Sequence, residues 1–110
     1  WKLVGQQGAT KTEVISLDTA SASSTITLQA GWLVKRVTFV PDETYNEGAV
    51  ITVSVGSQSL IPTNDLIPSG IADQYDSLKI TKLSNAGKVD VDISGATSGS
   101  GTLYVEYTIL

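Results

Sequence analysis

The stretch Lys88-Val89-Asp90-Val91-Asp92-Ile93-Ser94-Gly95-Ala96-Thr97-Ser98-Gly99-Ser100-Gly101-Thr102-Leu103-Tyr104-Val105-Glu106-Tyr107-Thr108-Ile109-Leu110 decides the fold class. Val89, Val91 and Ile93 alternate with Lys88, Asp90 and Asp92. After a Gly/Ser cluster, Leu103, Val105, Tyr107 and Ile109 alternate with Tyr104, Glu106 and Thr108. Successive side chains of a strand point to opposite faces, so a period of two marks a strand with one buried face. With turn residues between them, the two halves read as one β-hairpin whose outward face carries Asp90, Asp92 and Glu106.

The same alternation recurs upstream. Residues 33–40 place Leu33, Val37 and Phe39 on one face and Val34, Arg36, Thr38 and Val40 on the other. Lys35 then falls on the Phe39 face, which calls for a snorkelling side chain or a bulge that resets the register. Pro41 lacks a donor N–H and is expected to end this strand. Residues 49–55 turn Ile51, Val53 and Val55 inward, and residues 11–18 set Glu13, Ile15 and Leu17 against Val14 and Ser16. Shorter strands are expected at residues 25–29, with Ile26 and Leu28 on one side, and at 58–61. Another is expected at 78–83, with Leu78 and Ile80 inward and Lys79 and Thr81 outward. Residues 63–76 read as a loop with a helical turn near 71–75. About eight strands at spacings of roughly 8 to 12 residues, with no sustained 3.6-residue period, indicate one antiparallel β-sandwich over residues 1–110. A jelly roll is the first expectation and an immunoglobulin-like sandwich the second.

Composition narrows the chemistry. The chain has 110 residues, enough for one domain. It contains no Cys, no His and no Met, so disulfides, thiolate sites and His-based metal centres are excluded within this chain. A net charge of -4 and a pI near 4.5 give nucleic acid no basic footprint. No apolar run approaches the roughly 20 residues that span a bilayer, so neither nucleic acid nor membrane is an expected partner. Trp1 is not a residue before which an initiator Met is ordinarily trimmed, and the natural chain is expected to begin earlier.

Catalytic constellations are also scarce. Ser-His-Asp and Cys-His arrangements need residues this chain lacks. A Ser–Lys pair stays open on composition alone, yet no Ser sits on an elbow motif, and the serines read as turn and strand residues. Carboxylate pairs occur at Asp90/Asp92, Asp42/Glu43 and Asp73/Asp76, the kind of pair a glycosidase uses. Outward Asp on a strand more often solubilises the sheet or guards its edge. Oxygen ligands for calcium are present at Asp42, Glu43, Asn46 and Glu47, and again at Asn64, Asp65, Asp73 and Asp76, without the EF-hand spacing. The expectation is a non-enzyme with no catalytic residue, cofactor or metal. Among the aromatics, Phe39 and Tyr107 fall on inward faces. Trp32, Tyr45, Tyr75 and Tyr104 fall in loops or on outward faces, where aromatics favour interaction sites.

Three segments carry a family resemblance. These are Ala30-Gly31-Trp32-Leu33-Val34-Lys35-Arg36-Val37-Thr38-Phe39-Val40, then Tyr45-Asn46-Glu47-Gly48-Ala49-Val50-Ile51-Thr52-Val53-Ser54-Val55-Gly56, and the closing 89–95 and 101–107 pair. Over about half of the chain they resemble the capsid decoration, or cement, proteins of tailed bacteriophages. The resemblance implies a small jelly-roll or related sandwich on the outer surface of the virion capsid, made in the bacterial host cytoplasm. There it would clamp neighbouring major capsid subunits, often as a homo-oligomer. It carries over no catalytic or metal motif. The residues expected to contact a partner are Trp32, Asp42, Glu43, Tyr45, Glu47, Asp90, Asp92, Tyr104 and Glu106, with Asp90, Asp92 and Glu106 forming one acidic face. The alternative function is a glycan-binding module of a tail fibre or cell-surface adhesin, in which Trp32, Tyr45, Tyr75 or Tyr104 would line a groove.

Overall fold

The computed structural model describes residues 9–61, 66–68 and 74–110. Its strands are β1 (Thr10–Leu17), β2 (Ala22–Ser23), β3 (Leu33–Glu43), β4 (Val50–Val55), β5 (Gln58–Ile61), β6 (Tyr75–Ser77), β7 (Thr81–Lys82), β8 (Val89–Ser94) and β9 (Ser100–Thr108). They form two antiparallel sheets: β1-β9-β3-β6, with β7 also on β3, and β2-β8-β4-β5. The described residues contain no helix. The expected β-sandwich is therefore present. Among the described residues only β4 and β5 are neighbours both in sequence and in a sheet, whereas immunoglobulin sandwiches pair several consecutive strands. The second architectural expectation is thus set aside.

The closing segment is corrected by this topology. β8 pairs with β4 and β2, while β9 pairs with β1 and β3, so the two strands lie in opposite sheets and do not form a hairpin. Residues 95–99 form an arch between the layers. Sheets stack about 10 Å apart, and five extended residues reach roughly 17 Å, so the segment is long enough to cross. Gly95 and Gly99 bend it at φ values of 70° and 120°, which L side chains rarely adopt.

Between the sheets lies one apolar core. β1 supplies Ile15 and Leu17; β3 supplies Val34, Val37 and Phe39; β9 supplies Leu103, Val105 and Tyr107. Across from them stand Ile51, Val53 and Val55 of β4 and Val89, Val91 and Ile93 of β8. Fully burying each such aliphatic side chain contributes roughly 1.5–3 kcal/mol.

Several local expectations change. A bulge between Val34 and Arg36 puts Val34 inward together with Val37 and Phe39, so Lys35 resets the register. Pro41 does not end β3 but pairs with Gly101, and the strand runs on to Glu43. Among the described residues β6 flanks β3 only at residues 37–39, so Pro41 stands where β3 has become an edge on that side, a setting that tolerates proline. Residues 25–29 form no strand beyond the single bridge of Leu28 to Gly87, and Ile26 is exposed while Leu28 is buried. Leu78 and Ile80, expected inward, are 69% and 60% exposed in the irregular link between β6 and β7. The suggested helical turn lies mostly outside the described residues, and at Tyr75 the chain is already strand.

Candidate partner-binding surfaces

The outer face of the five-stranded sheet places two exposed apolar side chains, Tyr104 and Val14, directly beside each other. Tyr104 on β9 is 39% exposed and stands between Val14 of β1 and Thr38 of β3, its directly paired neighbours. Val14 is itself 52% exposed, so an aromatic and an aliphatic side chain share an open face. The adjacent row runs Thr12, Glu106, Arg36.

Arg36 is already committed to Asp76. Its Nε donates to Asp76 Oδ1 at 2.9 Å and its Nη2 to Oδ2 at 2.8 Å, while Thr38 Oγ1 donates to Oδ1 at 3.0 Å. The Arg36 guanidinium, then the Thr38 hydroxyl, hold the Asp76 carboxyl below the usual carboxylate range. The guanidinium is in turn held more firmly in its charged form, chiefly by Asp76 and to a smaller extent by Glu106. Both partners are nearly half exposed, so the pair adds little stability and acts mainly to fix the β3–β6 edge.

Asp90 and Asp92 project from the outer face of the four-stranded sheet, the side of the sandwich opposite Glu106. The single face expected for these three carboxylates does not exist. Each aspartate has its own donor: Ser23 Oγ to Asp90 Oδ1 at 2.9 Å and Ser21 Oγ to Asp92 Oδ1 at 3.0 Å. These hydroxyls offset the like-charge cost of two aspartates on one strand face.

The 42–48 segment is mostly internal architecture. Tyr45 is buried, 1% exposed, and its hydroxyl donates to the Asp18 carbonyl at 2.7 Å. Burial first, then the negative charges of Asp18 and Asp42, pushes its phenol up to about 12. A surface contact by Tyr45 is therefore corrected to a core role. Thr102 Oγ1 donates to Asp42 Oδ2 at 3.2 Å, and Ser100 Oγ to Glu43 Oε1 at 3.5 Å. Asn46 clamps the arch between the sheets. Its amide nitrogen donates to the carbonyls of Glu47 and Gly95, and its oxygen accepts from the Thr97 and Ser98 amides. Glu47 is exposed. Of the other calcium-type ligands, Asn64, Asp65 and Asp73 lie outside the described residues, and among the described residues no three carboxylates are grouped to hold a metal ion.

The aromatic set does not line one groove. Trp32 is half-buried and stacks on Tyr107 with ring centres 5.7 Å apart and planes within 4°. Tyr75 is half-buried beside a cavity of about 230 Å³ between β5 and the β6–β7 edge, with Leu60 and Lys79 in its wall. Of the four aromatics only Tyr104 offers an open ring. Val14 is exposed on the side opposite Ile15 and Leu17, as its place in the alternation gives, whereas the exposures of Leu78 and Ile80 were not anticipated, because a short alternating run does not show that residues 78–80 lie outside any strand.

What these observations define is a two-sheet antiparallel β-sandwich with exposed apolar and charged side chains on its outer faces and edges. No family model matches the chain, and no curated protein matches it. Solved structures do. A chain in the acidic stable capsid structure of Helicobacter pylori bacteriophage KHP30 is similar with a TM-score of 0.69 at 14% identity, over 94% of this chain and 90% of that one. A chain in the cyanophage Pam1 capsid asymmetric unit is similar with a TM-score of 0.68 at 16% identity, over 100% of this chain and 91% of that one. At such identities the shared property is the fold. Because coverage is high on both sides, the matched chains are about as long as this one and consist almost wholly of the same sandwich.

Proposed function

We propose that this chain is a non-enzymatic structural protein of a bacteriophage virion, which binds the outer surface of the capsid and stabilises contacts between major capsid subunits. The observation that carries the proposal is the near-complete mutual coverage with small chains of two phage capsid structures. The strand orders β1-β9-β3-β6 and β2-β8-β4-β5 support it further. From β1 to β4 the chain alternates between the layers, β4–β5 and β6–β7 each stay within one, and β8 and β9 alternate again; this order supports reading the sandwich as a jelly roll of the kind found in viral capsid domains. The acidic chain suits attachment to a protein surface better than contact with packaged nucleic acid.

The docking surface we assign is the outer face of the five-stranded sheet. Tyr104 supplies a rigid amphipathic ring, Val14 extends its apolar contact, and Glu106 adds charge at the margin. A central tyrosine ringed by smaller side chains is the usual form of an energetic anchor. Binding only the folded state would also stabilise a small disulfide-free domain by mass action.

Stoichiometry in gradient-purified particles of the phage that encodes the chain tests the reading. The expected copy number is close to that of the major capsid subunit. Absence from the particle, or a few copies per particle as for a tail fibre, would overturn it. On particles stripped of the chain, Tyr104→Ala should rebind at least about tenfold more weakly than the parent.

A further inference from the structure

The edge strand β1 is unusually open to pairing. It runs eight residues, pairs with β9 in unbroken register from Thr10↔Thr108 to Leu17↔Gly101, and among the described residues has no strand on its other side. It contains no proline and no bulge, two of the devices by which proteins blunt such edges, and its only charged residues are Lys11 and Glu13, which repel a second strand unless they meet opposite charges on it. Ile109 N–H donates to the Ala9 carbonyl at 2.9 Å, one step beyond the Thr10–Thr108 pair. Odd-numbered residues therefore bond to β9, and Thr10, Thr12, Val14 and Ser16 direct their N–H and C=O groups to the free edge.

Glu13 supplies the second observation. It lies on the inner-facing row of β1 with Lys11, Ile15 and Leu17, and its Oε2 is buried without a hydrogen-bond partner among the described residues. A buried carboxylate oxygen left unpaired is costly, and its negative charge contributes to the raised pKa of Tyr107 after burial. Lys11, two residues away on the same row, is exposed and forms no ion pair among the described residues.

We propose that β1 pairs antiparallel with β1 of a second copy of this chain, about a two-fold axis at Thr12, so that Lys11 of each copy meets Glu13 of the other. The edge geometry selects this register. Centring on Thr12 places Thr10 opposite Val14 and Thr12 opposite itself, so outward-directed backbone groups bond to one another. Lys11 and Glu13 then fall directly opposite on the inner row, at the close spacing of non-hydrogen-bonded pairs. Centring on Val14 satisfies the backbone equally but sets Glu13 against Ile15 and Lys11 against Leu17, leaving the charges unmatched. The interface is isologous, as a closed dimer requires, and joins two five-stranded sheets into one. This inference does not rest on the virion reading.

Sedimentation velocity on the full chain, from micromolar to near-millimolar concentration, reads the association directly. A monomer–dimer equilibrium is expected. Lys11→Glu and Glu13→Lys each set like charges opposite one another twice per dimer, and each should weaken association on the order of tenfold. The double variant Lys11→Glu/Glu13→Lys restores both pairs and should return to within about threefold of the parent. Thr12→Pro removes an N–H that faces only the open edge, so it should abolish the dimer while circular dichroism and melting of the monomer stay close to parental. A chain that remains monomeric throughout, an oligomer untouched by Thr12→Pro, or a double charge swap no better than the single changes would each overturn the proposal.

Discussion

Tyr45 shows how a single side chain can be internal in a segment whose neighbours are polar. Flanked by Asp42, Glu43, Asn46 and Glu47, it had every local sign of a surface residue, yet its ring tilts against Phe39 with centres 6.2 Å apart and its hydroxyl is tied to Asp18. Tyr45→Phe should cost about 1 kcal/mol at neutral pH, the net worth of one hydrogen bond. Its larger effect belongs to alkaline solution. The folded-state phenol is raised to about 12 from its ordinary value near 10, so the associated stability is fully present below pH 10. As pH rises toward 12 the unfolded chain loses the proton while the folded chain keeps it, and stability falls, by on the order of 2–3 kcal/mol. Urea unfolding across this window should show a steep decline in the parent and a shallower one in Tyr45→Phe. Tyr107, also raised mainly by burial, sustains the remainder. An unchanged slope would remove Tyr45 as the titrating group. Asn46 is the second residue of this kind: Asn46→Ala unties two amides and two carbonyls around the arch. It should cost roughly 1–3 kcal/mol, with faster amide exchange at Thr97 and Ser98.

At the scale of elements, the strands of the closing segment were legible and their pairing was not. Val89, Val91 and Ile93 are buried, as are Leu103, Val105 and Tyr107, while Asp90, Asp92 and Tyr104 are exposed, as alternation indicates. A hairpin and an arch between sheets need the same ingredients, two alternating runs joined by small turn residues. Partner choice is settled by strands far away in sequence, here β1 and β3 for one run and β4 and β2 for the other. The acidic face failed for that reason: Asp90 and Glu106 were joined by a pairing that local pattern cannot establish. Bulges are similarly hidden, although Lys35 on an apolar face did signal the first of the two register shifts in β3. Gly101 illustrates what long-range pairing imposes on one position. A Cβ there would lie 2.5 Å from Cε1 and Cζ of Phe39, so Gly101→Ala should destabilise by roughly 1–3 kcal/mol through overpacking. In a Phe39→Leu background the clash is relieved and the same change should cost clearly less. Denaturant unfolding of the two single variants and the double variant measures this coupling, and strict additivity would refute a direct contact as the cause.

For the whole molecule, the sandwich separates the groups that hold it together from those available to a partner. Core residues from both sheets, the Tyr45 hydroxyl and the Asn46 clamp serve the fold. Tyr104 and Val14 are open on the outer face and belong neither to the core nor to the side chains packed against it. Stability and attachment should therefore come apart on mutation. Tyr104→Ala should leave unfolding of the free chain within about 0.5 kcal/mol of the parent, as for other exposed sites, while weakening attachment to capsid. Under the proposed function, attachment should in turn raise the melting point of the chain itself, because a capsid site that accepts only the folded form stabilises it by mass action. At site concentrations a hundred times the dissociation constant the gain is about 2.7 kcal/mol, which for a domain of this size corresponds to roughly 10 °C. Calorimetry of free chain, parent-decorated particles and Tyr104→Ala-decorated particles distinguishes the contributions. The parent's transition should move upward on the particle, and the variant's should move less at equal concentration. Equal shifts for both would place the docking surface elsewhere on the sandwich and leave the five-stranded face to water.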